Sequence, residues 1–148
     1  MSYSKVIVAV DLSEDSEAVL AVVREVQQRD QPEIHLITVV QPLGQMYGGM
    51  ESSISAETAK LENEMELEAQ RRLDAFAHDL GVDSSNARVL RGNPVQEIRD
   101  YVENNHAELV VTGSHGRHGF GLLKGSTATG VLHGIHCDVL AVRLPDPT

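Results

Sequence analysis

Glycine and basic residues concentrate in one stretch of the chain, residues 113–126, which reads GSHGRHGFGLLKGS. Its five glycines can adopt backbone conformations closed to other residues, so that several N–H groups can point at one bound group. Arg117 and Lys124 add positive charge, and no Asp or Glu occurs between Glu108 and Asp138, although the formal net charge of the chain is −10. These residue types in this arrangement are typical of a site for phosphate or another anion.

The surroundings of this stretch leave two interpretations open. It lies between an apolar run, residues 109–112, and a short helical pattern from Ser126 to His133, and the N–H groups of a helix N-terminus favour anions. It is not a P-loop, because Lys124-Gly125-Ser126 reverses the required order, and its glycine spacing does not match the dinucleotide fingerprint. Glycine-rich turns also serve simply to connect a strand to a helix.

Composition narrows the class of protein. A chain of 148 residues is long enough for one domain with a sizeable core. It contains no apolar run long enough to span a membrane and no signal-peptide pattern. Its lone cysteine, Cys137, excludes an internal disulfide. We therefore expect a cytoplasmic protein without a membrane partner. The excess of acidic residues and the scarcity of aromatic ones argue against nucleic acid as a partner.

The order of apolar runs predicts the fold class. Five short runs alternate with helical patterns, which favours an α/β fold with one parallel sheet and helices on both faces. The runs cover residues 5–10, 34–40, 87–90, 109–112 and 139–142.

The sequence indicates where the helical patterns begin or end and which of their faces are apolar. Ser13 can cap the first helix, Gly81 can end the second, and Asn93 can cap the third, with Gln96 placed for a capping-box contact. The predicted apolar face of the first helix comprises Ala18, Val19, Val22, Val23 and Val26. That of the second comprises Leu61, Met65, Ala69, Leu73, Phe76 and Leu80, with Glu62, Glu64, Glu66 and Glu68 on a solvated face.

Ligands of doubly wound sheets bind beyond the carboxyl ends of the strands, where the strand order reverses. If the first and fourth strands are neighbours there, Asp11 and residues 113–126 face each other across one crevice. Asp11 could also serve as a turn or capping acid near Ser13, and the two roles are compatible. Residues 41–55, from Gln41 to Ser55, could fold over such a site, and their role stays open.

The chain resembles the universal stress proteins from end to end. The matching segments are residues 6–13 (VIVAVDLS), 92–94 (GNP), 108–116 (ELVVTGSHG), 125–126 (GS) and 137–143 (CDVLAVR). The resemblance implies the doubly wound fold of the adenine-nucleotide alpha-hydrolase-like superfamily, with a five-stranded parallel sheet in strand order 3-2-1-4-5, and usually a homodimer. In that order the last strand, from Val139 to Val142, lies at the sheet edge, where pairing with a second copy would cover it.

One branch of the family binds ATP through Gly, two residues, Gly, nine residues, Gly, then Ser or Thr. Carried over to this chain, Gly113, Gly116, Gly125 and Ser126 would hold the phosphates and ribose. Here only eight residues, 117 to 124, separate the second and third glycines.

The resemblance also implies that Asp11 and Val39 lie around the adenine and ribose, with Arg117 and Lys124 as mobile counter-charges. ATP is the expected nucleotide, with AMP and ADP as alternatives. The other hypothesis is a dimeric regulator that binds no nucleotide, in which the glycine loop is scaffold or holds a simple anion.

Neither a catalytic nor a metal centre is predicted. No nucleophile has a base at an informative spacing, so the protein is expected not to be an enzyme beyond slow ATP hydrolysis. The pairs His115/His118 and His133/His136 each show a two-residue gap, but a zinc site needs further ligands on one face. Cys137 precedes an apolar run and is interpreted as a small hydrophobic residue rather than as a nucleophile.

Overall fold

Strands and helices alternate throughout the part of the chain that the computed structural model describes, which comprises residues 2–12, 16–42, 56–114 and 134–143. In chain order the elements are β1 (Lys5–Ala9), α1 (Ser16–Asp30), β2 (Glu33–Val40), α2 (Ala56–Leu80), a 3-10 turn (Ser84–Asn86), β3 (Ala87–Arg91), α3 (Pro94–Asn104), β4 (Leu109–Ser114) and β5 (Asp138–Arg143). The predicted last helix, residues 126–133, and Ser13 lie outside the described residues.

The five strands form one parallel sheet in the order β3-β2-β1-β4-β5, which confirms the predicted strand order. β1 is the central strand, with Val8 paired to Leu36 of β2 on one side and to Val111 of β4 on the other. The chain therefore builds the sheet outward in one direction from β1 to β3 and then returns to the other side of β1.

Two hydrophobic clusters cover the two faces of the sheet and confirm the predicted placement of helices on both. α1 and α2 pack on one face and α3 on the other. β1 supplies both clusters alternately, with Val6 and Val8 on the first face and Ile7 and Ala9 on the second, each at most 1% exposed. Burial of a Val or Ile side chain stabilises the fold by about 1.5–3 kcal/mol, which explains why this strand is a continuous β-branched run.

Two helix ends, at Gly81 and Asn93, follow the predicted signals. Gly81 adopts a φ of +69° and ends α2, and the Val82 N–H donates to the Ala77 carbonyl 2.8 Å away. Asn93 caps α3, with its Oδ1 accepting a 3.1 Å hydrogen bond from the Gln96 N–H. Of the predicted capping-box contact the structure shows this bond to Asn93, and the Gln96 Nε2 donates to Asp100 Oδ1, one turn onward, at 2.7 Å.

The inward faces of α1 and α2 differ in part from the prediction. In α1, Leu20 is fully buried although the predicted face omits it. In α2 the buried stripe runs through Glu62, Ala69, Leu73, Ala77 and Leu80. Leu61 and Met65, predicted as core, are 49% and 39% exposed, and Glu62, predicted as solvated, is 8% exposed.

The physical reason lies in the length of α2. Its 25 residues extend for about 37 Å, whereas the five-residue β3 and eight-residue β2 beneath it extend for about 17 and 27 Å. Its first turns therefore project past the strands, and an apolar residue there is left partly uncovered. None of the helices in the described ranges is sufficiently long and apolar to cross a bilayer.

A polar cluster joins α3 to β2 within the second face. His35, 8% exposed, makes a 2.9 Å hydrogen bond between its Nδ1 and the Tyr101 hydroxyl. Its Nε2 lies 3.5 Å from Glu33 Oε1 and makes no hydrogen bond within the described structure. Burial raises the pKa of Tyr101, so its hydroxyl keeps its proton at neutral pH. The hydrogen bond to Tyr101 is thus the main polar contact of this buried imidazole.

We predict that Tyr101→Phe lowers the free energy of unfolding by about 1–2 kcal/mol, because it leaves a buried imidazole nitrogen without its partner. Tyr3→Phe is the matched control. It removes a 2.7 Å hydrogen bond to Asp138 Oδ2 that is exposed to solvent, where water replaces the lost partner, and should cost less than about 0.5 kcal/mol. Urea denaturation of both variants measures the difference, and equal losses would contradict the assignment of the buried bond.

Candidate functional site

The carboxyl edge of the sheet brings the ends of β1, β2 and β4 together. Ala9 pairs with Ile37 on one side and with Thr112 on the other, and the ladder continues with the Val10 N–H donating to the Ile37 carbonyl at 3.0 Å. Because Ala9 pairs with Ile37, Asp11 and Val39, each two residues further along its segment, lie close to each other at this edge.

Gly113 completes this edge on the far side of β1. It follows the β4 residue that pairs with Ala9, and it pairs in turn with Val142 of β5. The strand order reverses between β1 and β4, and a crevice opens at such a point in doubly wound sheets. Three of the eight predicted ligand residues, Asp11, Val39 and Gly113, thus lie at the carboxyl ends of three neighbouring strands.

The other five predicted ligand residues lie outside the described residues. They are Gly116, Arg117, Lys124, Gly125 and Ser126. Most of the segment from Gln41 to Ser55 lies outside as well, and the roles assigned to all of them stay predictions.

The Asp11 carboxylate contacts the start of α1, whereas its predicted turn or capping role near Ser13 falls on residues outside the described ranges. Its Oδ1 accepts a 3.3 Å hydrogen bond from the Ser16 hydroxyl, and Ser16, at the start of α1, is 2% exposed. Its predicted contact with a ligand remains a prediction. Val39 is 8% exposed, with its side chain in the second cluster, so it presents mainly backbone to the carboxyl edge.

Two residues near Asp11 were missed by the sequence analysis. Leu12 has a φ of +64°, a left-handed conformation that is rare for residues other than glycine. Its carbonyl accepts a 3.2 Å hydrogen bond from Nη1 of Arg72 on α2. An arginine on an exposed helix face carries no sequence signal for such a contact, because the pairing depends on how α2 lies across the sheet.

Gly92 and Asn93 form the neighbouring part of the same edge. The Gly92 N–H donates to the Val40 carbonyl at 3.0 Å, which ties the end of β3 to the end of β2. Gly92 has a φ of +144°, and a Cβ there would come within 2.7 Å of Glu97 Oε1. The positive φ therefore favours glycine here, whereas the Glu97 carboxylate is the end of a flexible side chain that can move aside. The sequence analysis used this residue only for the family resemblance.

The described residues offer no clustered metal ligands. Within residues 2–12, 16–42, 56–114 and 134–143, no three His, Cys, Asp or Glu side chains are grouped as a metal centre would need. His115, His118 and His133 lie outside these ranges. Cys137 is half-buried against the second cluster. Burial above all raises the pKa of its thiol, which disfavours the reactive thiolate and agrees with the interpretation of Cys137 as a small hydrophobic residue.

A groove of about 640 Å³ lies at the opposite, amino edge of the sheet. It runs between the end of α1 and the start of β5, where the Tyr3 hydroxyl bonds Asp138. Its lining comprises Tyr3, Val22, Glu25, Val26, Arg29, Leu109, Asp138, Val139 and Leu140. It shares no residue with the predicted nucleotide site.

Comparison with known proteins identifies relatives over nearly the whole chain. The model of the universal stress protein family matches residues 2–143. Universal stress protein A homolog 2 of Coxiella burnetii is 35% identical over 147 residues, which cover 97% of this chain and 97% of that protein.

Solved structures share the fold. Universal stress protein UspA from Lactobacillus plantarum superposes with a TM-score of 0.76 at 20% identity, covering 97% of this chain and 99% of that one. A universal stress protein solved in complex with cAMP superposes with a TM-score of 0.60 at 21% identity, covering 96% of this chain and 98% of that one. At these identities the likeness establishes the fold.

Proposed function

The chain belongs to the universal stress protein family, and from that premise we propose that it binds an adenine nucleotide, foremost ATP, at the carboxyl edge of β1 and β4. It would act as a dimeric stress-response regulator in the cytoplasm. It would have no catalytic role beyond slow ATP hydrolysis.

The observation that carries this proposal is the register of the central strands. Pairing of Ala9 with both neighbouring strands sets Asp11 near Val39 on one side and beside the Gly113 end of β4 on the other. The adenosine part would lie against Asp11 and the Val39 backbone. The relative solved with cAMP supports adenine nucleotides as the ligand class.

The phosphate part of the site would be built by the glycine loop that β4 enters. Gly113 begins that loop, and Gly116, Gly125 and Ser126 would supply backbone N–H and hydroxyl donors. Arg117 and Lys124 would add positive charge in a chain whose formal net charge is −10. AMP and ADP would use the same adenosine contacts with fewer phosphate contacts.

We predict that Gly125→Val abolishes the rise in melting temperature that ATP causes in the wild-type protein, because a Cβ blocks approach of the backbone to the phosphates. Thermal unfolding with and without ATP measures this, and an unchanged melting temperature without ATP checks the fold. Lys124→Ala should weaken ATP binding only about two- to fivefold, since solvent screens a mobile charge. Arg24→Ala, which removes an exposed charge from α1, is the control for charge loss and should leave binding unchanged.

The outcomes separate the two hypotheses. A thermal shift that persists in Gly125→Val would refute the assignment of the glycine loop. A wild-type protein whose melting temperature ATP does not change would favour the dimeric regulator without a nucleotide, its glycine loop serving as scaffold or as a site for a simple anion.

The homodimer would form through β5, the strand from Val139 to Val142 with its flanking Asp138 and Arg143. Of the strands in the described ranges, β5 pairs only with β4, so its outer N–H and C=O groups face away from the sheet. Leu140 is 38% exposed on this strand. Pairing with β5 of a second copy across a two-fold axis would satisfy the backbone groups and cover the leucine.

We predict that sedimentation equilibrium at micromolar concentration gives twice the mass of one chain. Leu140→Lys should shift the protein toward monomer, because the two copies of the strand would bring like charges together. Leu67→Lys is the matched control, since Leu67 is 71% exposed on α2, away from the edge, and this variant should stay dimeric. A wild-type monomer, or equal dissociation of both variants, would contradict the proposed interface.

A further inference from the structure

The turn that follows β1 contains an unfavourable backbone conformation. Leu12 has a φ of +64°, where the Cβ of an L-residue crowds its own backbone, and residues other than Gly, Asn and Asp rarely adopt it. Such a conformation persists only where the surrounding structure holds it. It directly follows Asp11, the residue proposed to contact the adenosine.

Within the described residues, we consider three contacts that hold the turn. The Leu12 side chain packs against the first cluster, and the Asp11 carboxylate accepts the hydrogen bond from Ser16. The third is the 3.2 Å hydrogen bond from Arg72 Nη1 to the Leu12 carbonyl, which links residues 60 positions apart in the chain. Of the three, only this last bond can be removed without altering the turn residues or their partner in α1.

Arg72 is positioned by the helix backbone at one end of its side chain and by a contact of its guanidinium at the other. Its neighbours Ala69 and Leu73 are 7% and 0% exposed, so the helix backbone beneath it is fixed against the core. Its Nε lies 3.7 Å from Glu68 Oε1, one helical turn earlier, which directs the guanidinium along the helix surface. Because an arginine fork offers several donors in one plane, Nη1 can bond the carbonyl while Nε faces the carboxylate.

We propose that Arg72 is a positioning residue: it holds the left-handed turn at Leu12 and thereby sets the direction of the Asp11 carboxylate at the carboxyl edge. Its effect on a nucleotide rests on the function proposed above. α2, an element that contributes no predicted ligand residue, would in this way help to shape the site.

The first test compares two neighbouring arginines by calorimetric titration with ATP. Arg72→Gln should raise the dissociation constant about fivefold, because the bond to the Leu12 carbonyl is exposed and solvent weakens it. Arg72→Lys, which keeps a charged donor on a long side chain, should recover part of the loss. Arg71→Gln is the matched control, since Arg71 pairs with the same Glu68 but makes no bond to Leu12, and it should bind ATP as the wild type does. Wild-type affinity in Arg72→Gln would overturn the proposal.

The second test asks whether Arg72 acts through the turn or directly on the ligand. Leu12→Asn replaces the leucine with a residue that adopts positive φ more readily. In this background Arg72→Gln should raise the dissociation constant less than about twofold, because the turn no longer depends on the arginine. An equal fivefold loss in both backgrounds would mean that Arg72 acts on the ligand by charge, and would overturn the positioning role.

A third measurement needs no nucleotide, so it separates failure of this inference from failure of the proposed function. Positive φ shortens the distance between the amide and α hydrogens of one residue, which gives a strong intraresidue NOE at Leu12 in the ligand-free protein. This NOE should weaken in Arg72→Gln and persist in Arg71→Gln. If wild type does not bind ATP, the proposed function fails, while loss of the NOE in Arg72→Gln still supports the role of Arg72. An unchanged NOE in that variant overturns it.

Discussion

The hydrogen-bonded register of β1 against β2 and β4 is the constraint on which the rest of the structure depends. β1 lies at the centre of the sheet, so its pairing fixes the positions of β2 and β4, with which β3 and β5 pair in turn. The same pairing determines which residues end level with one another at the carboxyl edge. A slip of one residue along β1 would exchange its two faces and also displace Asp11 from its position near Val39.

Side-chain packing enforces that register. Val6 and Val8 must face α1 and α2, and Ile7 and Ala9 must face α3, for both clusters to close. Each of these side chains is at most 1% exposed, so a register slip would move the smallest of them to the wrong face and leave cavities. Packing of the apolar core thus fixes the relative positions of the strand ends, where the candidate binding site lies.

The sequence predicts those parts of the structure that depend on local signals or on burial. The β-branched run of β1, the Asn93 cap and the Gly81 stop each act within a few residues, and each is confirmed. The predicted inward face of α2 is wrong at Leu61 and Met65, because periodicity alone does not tell where a long helix passes beyond the sheet beneath it.

The candidate site is predictable to the extent that it follows from strand ends. Asp11 and Gly113 directly follow apolar runs, and a parallel sheet necessarily gathers such positions at one edge. The left-handed turn at Leu12 and its bond from Arg72 could not be predicted, since leucine gives no signal for positive φ and the contact joins two distant segments. The predicted ligand residues between 116 and 126 still depend on the family resemblance.

The central claim is that an adenine nucleotide binds at the carboxyl edge of β1 and β4. Titration of ¹⁵N-labelled protein with ATP, followed by amide chemical shifts, tests it residue by residue. The account predicts saturable shifts at Asp11, Val39 and Gly113, with none at Tyr3 and Asp138 beside the amino-edge groove. Shifts confined to the amino edge, or no saturable shifts at any amide, would contradict it.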